Sequence, residues 1–195
     1  GIECSPAQIP SSNSTMLYAM LSNLPCKITD GGIIADRLTD LETRLSTLAS
    51  TTDIIVTTGG ASVGDHDLVQ AALRNIGADM DFWKVAMRPG KPVMAGKIGN
   101  TIVLGLPGNP TSAFVTAFLF LLPLIRHMAG CLSPLPEIFE AKADNALFPG
   151  GSRAEYVRGR VEGGSITAFT TRDSGLVSPL SHSNALIIRD VNAHE

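Results

Sequence analysis

Cysteine is scarce in this chain of 195 residues: the three present, Cys4, Cys26 and Cys131, are an odd number without C-x-x-C spacing. Neither a disulfide framework nor a zinc site is expected from them, and a reducing, cytoplasmic setting suits them best. Positive charge is also in short supply, since 15 Lys+Arg against 18 Asp+Glu leave a formal net charge of -3. Coating nucleic acid needs a concentrated basic face, so this balance argues against that work and makes any anion site a local one. No apolar run is long. The longest, Ala113–Ile125, contains Thr116 and Pro123 and falls short of the roughly 18 to 20 residues that span a bilayer. It reads as a core helix, with no membrane partner expected. No basic segment followed by an apolar stretch opens the chain, so a secretory signal is not expected. The first residue is Gly rather than Met, which suggests a fragment or processed product. Repeats and low-complexity tracts are absent, as are the nucleotide motifs G-x-x-x-x-G-K-[ST] and a G-x-G-x-x-G behind a strand, so P-loop ATP hydrolysis is disfavoured.

What is there is 44% hydrophobic residues, enough for one sizeable core of about 130 residues with room for a second small unit. Helical spacing runs from Ser14 to Leu24 with Asn13 or Ser14 as cap, and again through Leu38, Leu41, Leu45 and Leu48. A further helix is expected over Asp67–Ile76, and a long apolar one from Pro110 to about Met128. Strands are expected at Lys27–Ile34, Ile54–Val56, Phe82–Met87, Val93–Gly96 and Thr101–Leu106. Helices alternating with apolar strands indicate an α/β domain over residues 1–132, a mainly parallel three-layer α/β/α sheet. Gly130–Pro136, with Pro134 and Pro136, reads as a linker. Beyond it, short alternating segments such as Glu155–Val161 and Leu186–Ile188 indicate a small β domain, barrel-like, over 137–195.

Three loops carry the chemistry. The first, Thr57–Asp67, lies between a buried-type strand and a helix, at the edge of an open α/β sheet where ligands bind. Its Gly59 and Gly60 let backbone N–H groups approach an anion closely, and the helix start behind them adds positive dipole. Asp65 and Asp67 would repel that anion unless a hard cation such as Mg²⁺ stood between; the bland alternative is a helix cap and a solvated carboxylate. The second, Lys84–Pro92, sets Lys84, Arg88 and Lys91 around a Pro-Gly turn, where point charges and a guanidinium fork suit phosphate or similar oxyanion oxygens, although turn lysines are often merely solvated. The third, Gly105–Ser112, places Pro110 at a first helical position and Asn109 at its cap. Its free N–H groups and the Thr111 and Ser112 hydroxyls make a second anion cradle, or simply a well-capped turn.

A competing pattern is spelled within the first loop, because Gly60-Ala61-Ser62-Val63-Gly64 is G-x-S-x-G, the nucleophile elbow of α/β hydrolases. The elbow needs its helix to begin directly behind the serine, whereas Gly64-Asp65-His66-Asp67 delays it, and no H-G-G-G-like segment precedes it. A base would have to come from His66, His127, His182 or His194.

Together the loops resemble the molybdopterin-binding domain of molybdenum insertases, the MoeA and gephyrin E-domain family of molybdopterin molybdenumtransferases. The resemblance rests on Thr58-Gly59-Gly60 with Ser62-Val63-Gly64 and Asp67, on Lys84 with Arg88-Pro89-Gly90-Lys91-Pro92, and on Gly105-Leu106-Pro107-Gly108-Asn109-Pro110 with Ser112. In the tail, Arg153, Glu155, Arg158-Gly159, Ser174-Gly175 and Asn184-Ala185-Leu186 resemble the family's final β domain. The resemblance implies an enzyme that cleaves adenylylated molybdopterin, inserts molybdate at the dithiolene and releases AMP with help from Mg²⁺. By position, Asp36 and Asp67 are then the metal or substrate carboxylates, Lys84 and Arg88 face oxyanions, and Asn109 to Ser112 cradle phosphate. Thr58, Gly59, Gly60, Ser62, Gly64, Lys91, Pro107, Gly108, Asn109, Pro110 and Ser112 would bind substrate. The same resemblance implies a homodimer and contact with the pathway's adenylyltransferase. It also implies that the Gly-Asp-Glu strand end and two N-terminal domains of the family precede this segment in a longer enzyme, without which the reaction is incomplete. A non-catalytic module that binds pterin or a partner protein is the second expectation.

Overall fold

The computed structural model describes residues 11–60, 68–82, 85–169, 171, 175 and 177–193, and for Phe82 the backbone alone. Ser62, Gly64, Asp65, His66, Asp67 and Lys84 lie outside the described residues.

Four segments form the first sheet: β1 (Ile54–Thr58), β2 (Asp79–Phe82), β4 (Met94–Ile98) and β5 (Thr101–Leu106), in the order β1-β5-β4-β2. Alternation of side chains across the pleat feeds two cores. On one face Leu104 and Leu106 pack with α1 (Asn13–Leu21) and with the long helix that begins at Pro110. On the other, Ile55 and Val103 meet Leu41 and Leu45 of α2 (Leu38–Ala49) and Ala72 and Leu73 of α3 (Leu68–Asn75). The expected α/β/α layering is thus present.

The sheet is mixed rather than mainly parallel. β1 runs parallel to β5, but β4 is antiparallel to both β5 and β2. The reason lies in Gly99-Asn100, a two-residue connection between β4 and β5 with Gly99 at φ 56°. So short a link closes only a hairpin, since a parallel neighbour needs a crossover of a dozen residues or more. The strand expected over Lys27–Ile34 is absent: these residues pair with no described strand, and Ile33 is 89% exposed. Arg44 of α2 instead holds this segment by donating to the Gly31 carbonyl from Nε and Nη2, at 3.3 and 3.2 Å. Asn13 does not cap α1. It is the helix's first residue, and its buried Nδ2 donates to the Gly108 carbonyl at 2.8 Å.

The helix from Pro110 to Met128 is continuous over 19 residues, and 56% of its most apolar window is buried inside the fold, as befits a core helix. It comprises α4 (Pro110–Thr116), a π turn (Ala117–Leu121) and α5 (Leu122–Met128). The π turn falls just ahead of Pro123, which has no N–H to give to the carbonyl four residues back.

β3 (Met87–Arg88) leaves the first sheet and joins the second, pairing parallel with the start of β7 (Ala154–Glu162) in the register Met87↔Ala154 and Arg88↔Glu155. β7 also carries β8 (Ser165–Ala168) and β9 (Ala185–Arg189), both antiparallel, and β6 (Lys142–Ala143) pairs with β8. The pairings among the described strands form an open sheet and do not close a barrel.

The turn behind β3 has almost no freedom to move. A Cβ built on Gly90 would lie 2.4 Å from Cγ2 of Thr116, a residue 0% exposed, and Gly90 has φ +113°, a conformation that L side chains rarely adopt. Gly90→Ala is therefore expected to destabilise the fold by about 2–3 kcal/mol, combining overpacking and backbone strain. Urea unfolding measures this, and Thr116→Ser, which removes the clashing methyl, should restore part of the loss in the double variant.

Candidate functional site

The first and third loops meet at the edge of the first sheet. β1 ends at Thr58, and Gly59 and Gly60 follow with φ of 88° and 70°, values that glycine reaches without steric cost. The Gly59 N–H donates to the Leu106 carbonyl at 3.0 Å. A Cβ on Gly108 would stand 3.5 Å from the Gly59 Cα, so the two backbones touch. Asn109 caps α4, its side chain accepting from the Ser112 N–H at 3.2 Å, while the Ala113 N–H donates to the Asn109 carbonyl at 2.8 Å. With Pro110 lacking a donor, the first turn of α4 has little free N–H left for a ligand, and its hydroxyls become the more available polar groups.

The second loop meets the first turn of α4 from another side. The Val85 N–H donates to the Lys91 carbonyl at 3.0 Å and closes the loop. Arg88, Lys91 and the backbone of Pro89–Pro92 line a cavity of about 310 Å³ with Thr111 and Ser112 on α4 and residues of the second sheet on the far wall. Of the residues singled out from sequence, Arg88, Lys91 and Ser112 are brought together here. Thr58, Gly59, Gly60, Pro107, Gly108, Asn109 and Pro110 lie beside it, around the Gly59–Gly108 contact, without lining it. Asp36 sits in an exposed bend ahead of α2 and does not line it either. Among the described residues no three His, Cys, Asp or Glu side chains gather as a metal cluster.

The far wall is where sequence reasoning fell short. Arg153, Glu155 and Arg158 appear in the sequence only as marks of a resemblance, and Arg189 gives no signal beyond ending an apolar strand, yet all four line the cavity. Arg158 and Arg189 are each 6% exposed. Arg158 Nη2 donates to the Thr171 carbonyl at 2.7 Å. Arg189 donates from Nη1 to the Phe148 carbonyl and from Nη2 to that of Ala193. Arg153 Nη1 reaches the Met87 carbonyl at 3.5 Å. Carbonyl dipoles satisfy guanidinium donors without neutralising their charge. Among the described lining residues, Arg88, Lys91, Arg153, Arg158 and Arg189 face one carboxylate, that of Glu155, which lies 3.7 Å from Arg88 Nη1. Guanidinium, ammonium and hydroxyl groups set on the walls of one cavity can complement an oxyanion chemically.

The described candidate bases for a hydrolase stand apart from this cavity, His127 in the last turn of α5 and His182 in α6 (Ser178–His182).

Comparison with known proteins identifies what carries this arrangement. Residues 1–127 match the family model described as a probable molybdopterin binding domain, and residues 140–195 match the MoeA C-terminal region (domain IV). The molybdopterin molybdenumtransferase of Haemophilus influenzae is 36% identical over 153 residues, covering 78% of this chain and 38% of that protein. That of a Nostoc species is 32% identical over 198 residues, covering 94% and 44%. The chain thus spans less than half the length of these curated relatives. Among solved structures, the molybdopterin biosynthesis MoeA protein from Pyrococcus horikosii shares the fold with a TM-score of 0.83 at 23% identity, over 100% of this chain and 47% of that one. Matched along both of its parts, the chain belongs to the MoeA-type molybdopterin molybdenumtransferase family.

Proposed function

We propose that the chain works in molybdenum cofactor biosynthesis as the ligand-holding part of a molybdopterin molybdenumtransferase, taking molybdate and adenylylated molybdopterin as substrates. The observation that carries this reading is the cavity at the first turn of α4, where, among the described lining residues, five cationic side chains stand with one carboxylate. Molybdate is a tetrahedral oxyanion with four acceptor oxygens and no donors when fully ionised. A guanidinium fork, an ammonium and a hydroxyl are the groups that complement it, and Arg88, Arg153, Lys91 and Ser112 supply them.

In this reading the pterin's phosphate groups lie along the Gly59–Gly108 contact, where two glycines allow close backbone approach. In the same reading Lys84, Ser62 and Gly64 contribute further contacts to the substrate. Asp36 and Asp67 would hold Mg²⁺; their hard carboxylate oxygens suit it, and ligand oxygens and waters would complete the shell, as Mg²⁺ prefers. When bound, that ion would offset the negative charge that phosphate and carboxylates bring together. Bringing the molybdate oxygens and the pterin to one helical turn would orient them, and burial among cations would exclude competing water. Transfer of molybdate to the dithiolene with release of AMP is the reaction such an arrangement serves. The family's further domains, a homodimer, a cytoplasmic setting and contact with the pathway's adenylyltransferase belong to the same proposal.

Calorimetric titration with molybdate tests the cavity. Lys91→Ala is expected to weaken binding about tenfold or more, the scale of one charge-assisted contact, and unchanged affinity would remove the cavity from the mechanism. A separate titration with adenylylated molybdopterin tests the carboxylates. Asp67→Asn should abolish the Mg²⁺-dependent part of the affinity and leave the metal-free part intact, whereas Ser62→Ala should leave labelling by serine-reactive probes absent in both proteins.

A further inference from the structure

We propose that Asn13 is a positioning residue for phosphate binding: its side-chain amide fixes the Gly108–Asn109 peptide so that the Asn109 N–H is free to meet the ligand. This rests on the reading that the pterin's phosphate groups lie along the Gly59–Gly108 contact, and it names the residue that shapes that surface. Asn13 opens α1 on the same buried face as Leu17 and Leu21, at intervals of four residues. Those leucines belong to the core shared by Leu104, Leu106 and the long helix, so the amide is carried on a packed support. From there Nδ2 donates to the Gly108 carbonyl at 2.8 Å, across 95 residues of sequence. The other end of the amide decides what the residue is for. Asn13 is 6% exposed, and its Oδ1 is buried without a hydrogen-bond partner. An orphaned buried acceptor costs at least as much as one intramolecular hydrogen bond returns, so the two atoms together contribute no net stability. A buried group with that balance needs another reason to be there, and the carbonyl it holds supplies one.

The Gly108–Asn109 peptide is trans, so its carbonyl and its N–H point in opposite directions. With the carbonyl pinned to α1, the Asn109 N–H is turned away from α1. Asn109 spends its side chain and its carbonyl on the helix cap, and among the described residues nothing accepts from its N–H. The peptide plane would otherwise be loose. Gly108 is exposed, and a Cβ added to it would meet only the Gly59 backbone, at 3.5 and 3.8 Å. A plane free to turn offers an anion its carbonyl oxygen as readily as its N–H, and the bond from Asn13 removes the repulsive orientation. The donor is then in place before a phosphate arrives, and binding does not have to order it.

Titration of the full chain with inorganic pyrophosphate, followed through its backbone and side-chain amide resonances, tests this. In the parent, the Asn109 amide and the Asn13 side-chain amide are expected to shift with one midpoint, because both are bonded through the same peptide. Asn13→Leu, which keeps an apolar filling for the site and removes the donor, is expected to weaken pyrophosphate binding about tenfold, the scale of one hydrogen bond to a charged group. Its affinity for molybdate should stay within about twofold of the parent's, since Asn13 does not line the cavity. An Asn13→Leu protein that melts like the parent and binds pyrophosphate equally well overturns the proposal. An equal loss of affinity for molybdate, the mark of general damage to the start of α4, overturns it too. Should Asn13→Leu fail to fold, an Asn13 side-chain resonance in the parent that stays still while the Asn109 amide titrates overturns it alone. If the Gly59 and Gly60 amides titrate and that of Asn109 does not, the phosphate reading stands and the role of Asn13 falls. If no amide around the Gly59–Gly108 contact moves, both fall.

Discussion

The pairing of Met87–Arg88 with Ala154–Glu155 is the contact on which the rest of the site depends. Only two residues long, it takes the chain out of the first sheet and fixes it in the second. The turn that follows is then pressed against α4, with Gly90 and Thr116 at a distance that admits no side chain. A segment pinned at both ends in this way defines one cavity wall and sets its distance from the other. Short pairings contribute little stability by themselves, so this one relies on the packing around it: Met87 is 2% exposed, and Val93, at the other end of the turn, 0%.

The second sheet supplies most of the positive charge, and this division has a physical basis. Burying a guanidinium is tolerable when its donors find acceptors, and a backbone carbonyl is an acceptor that leaves the charge intact. The carbonyls of Phe148, Thr171 and Ala193 serve that purpose, so the same bonds that hold the loops of the second sheet in place also fix its arginines on the cavity wall. The loop bonds and the electrostatic field are one construction.

Much of this was legible in the residues. The apolar periodicity of Leu41 and Leu45, the strand at Thr101–Leu106, and the Asn109-Pro110 helix start are local signals, and local physics fixes them. The mixed sheet was legible too, in Gly99-Asn100, but apolar strands between helices outweighed a two-residue turn. Lys27–Ile34 shows the opposite failure. It has the composition of a strand and no described neighbour to bond with, and β-propensity expresses itself only where a partner exists. The far wall of the cavity was hidden for a third reason. Arg189 reaches its place through the β7–β9 register, which sequence spacing alone does not reveal.

The three glycine-bearing loops converge on one helical turn rather than in one cavity, and that distinction shapes the chemistry. Gly59 and Gly108 touch ahead of α4, while Arg88, Lys91 and, on the first turn of α4, Ser112 line the cavity. Because Asn109 and Pro110 use or remove most of the turn's N–H donors, the helix end serves as a rigid partition more than as an anion trap. The buried Nδ2 of Asn13, bonded to the Gly108 carbonyl, ties that partition to α1. A helix is about 10–12 Å across with its side chains. Groups held around its first turn therefore lie within reach of a single elongated ligand, and the rigidity of the turn fixes their mutual placement.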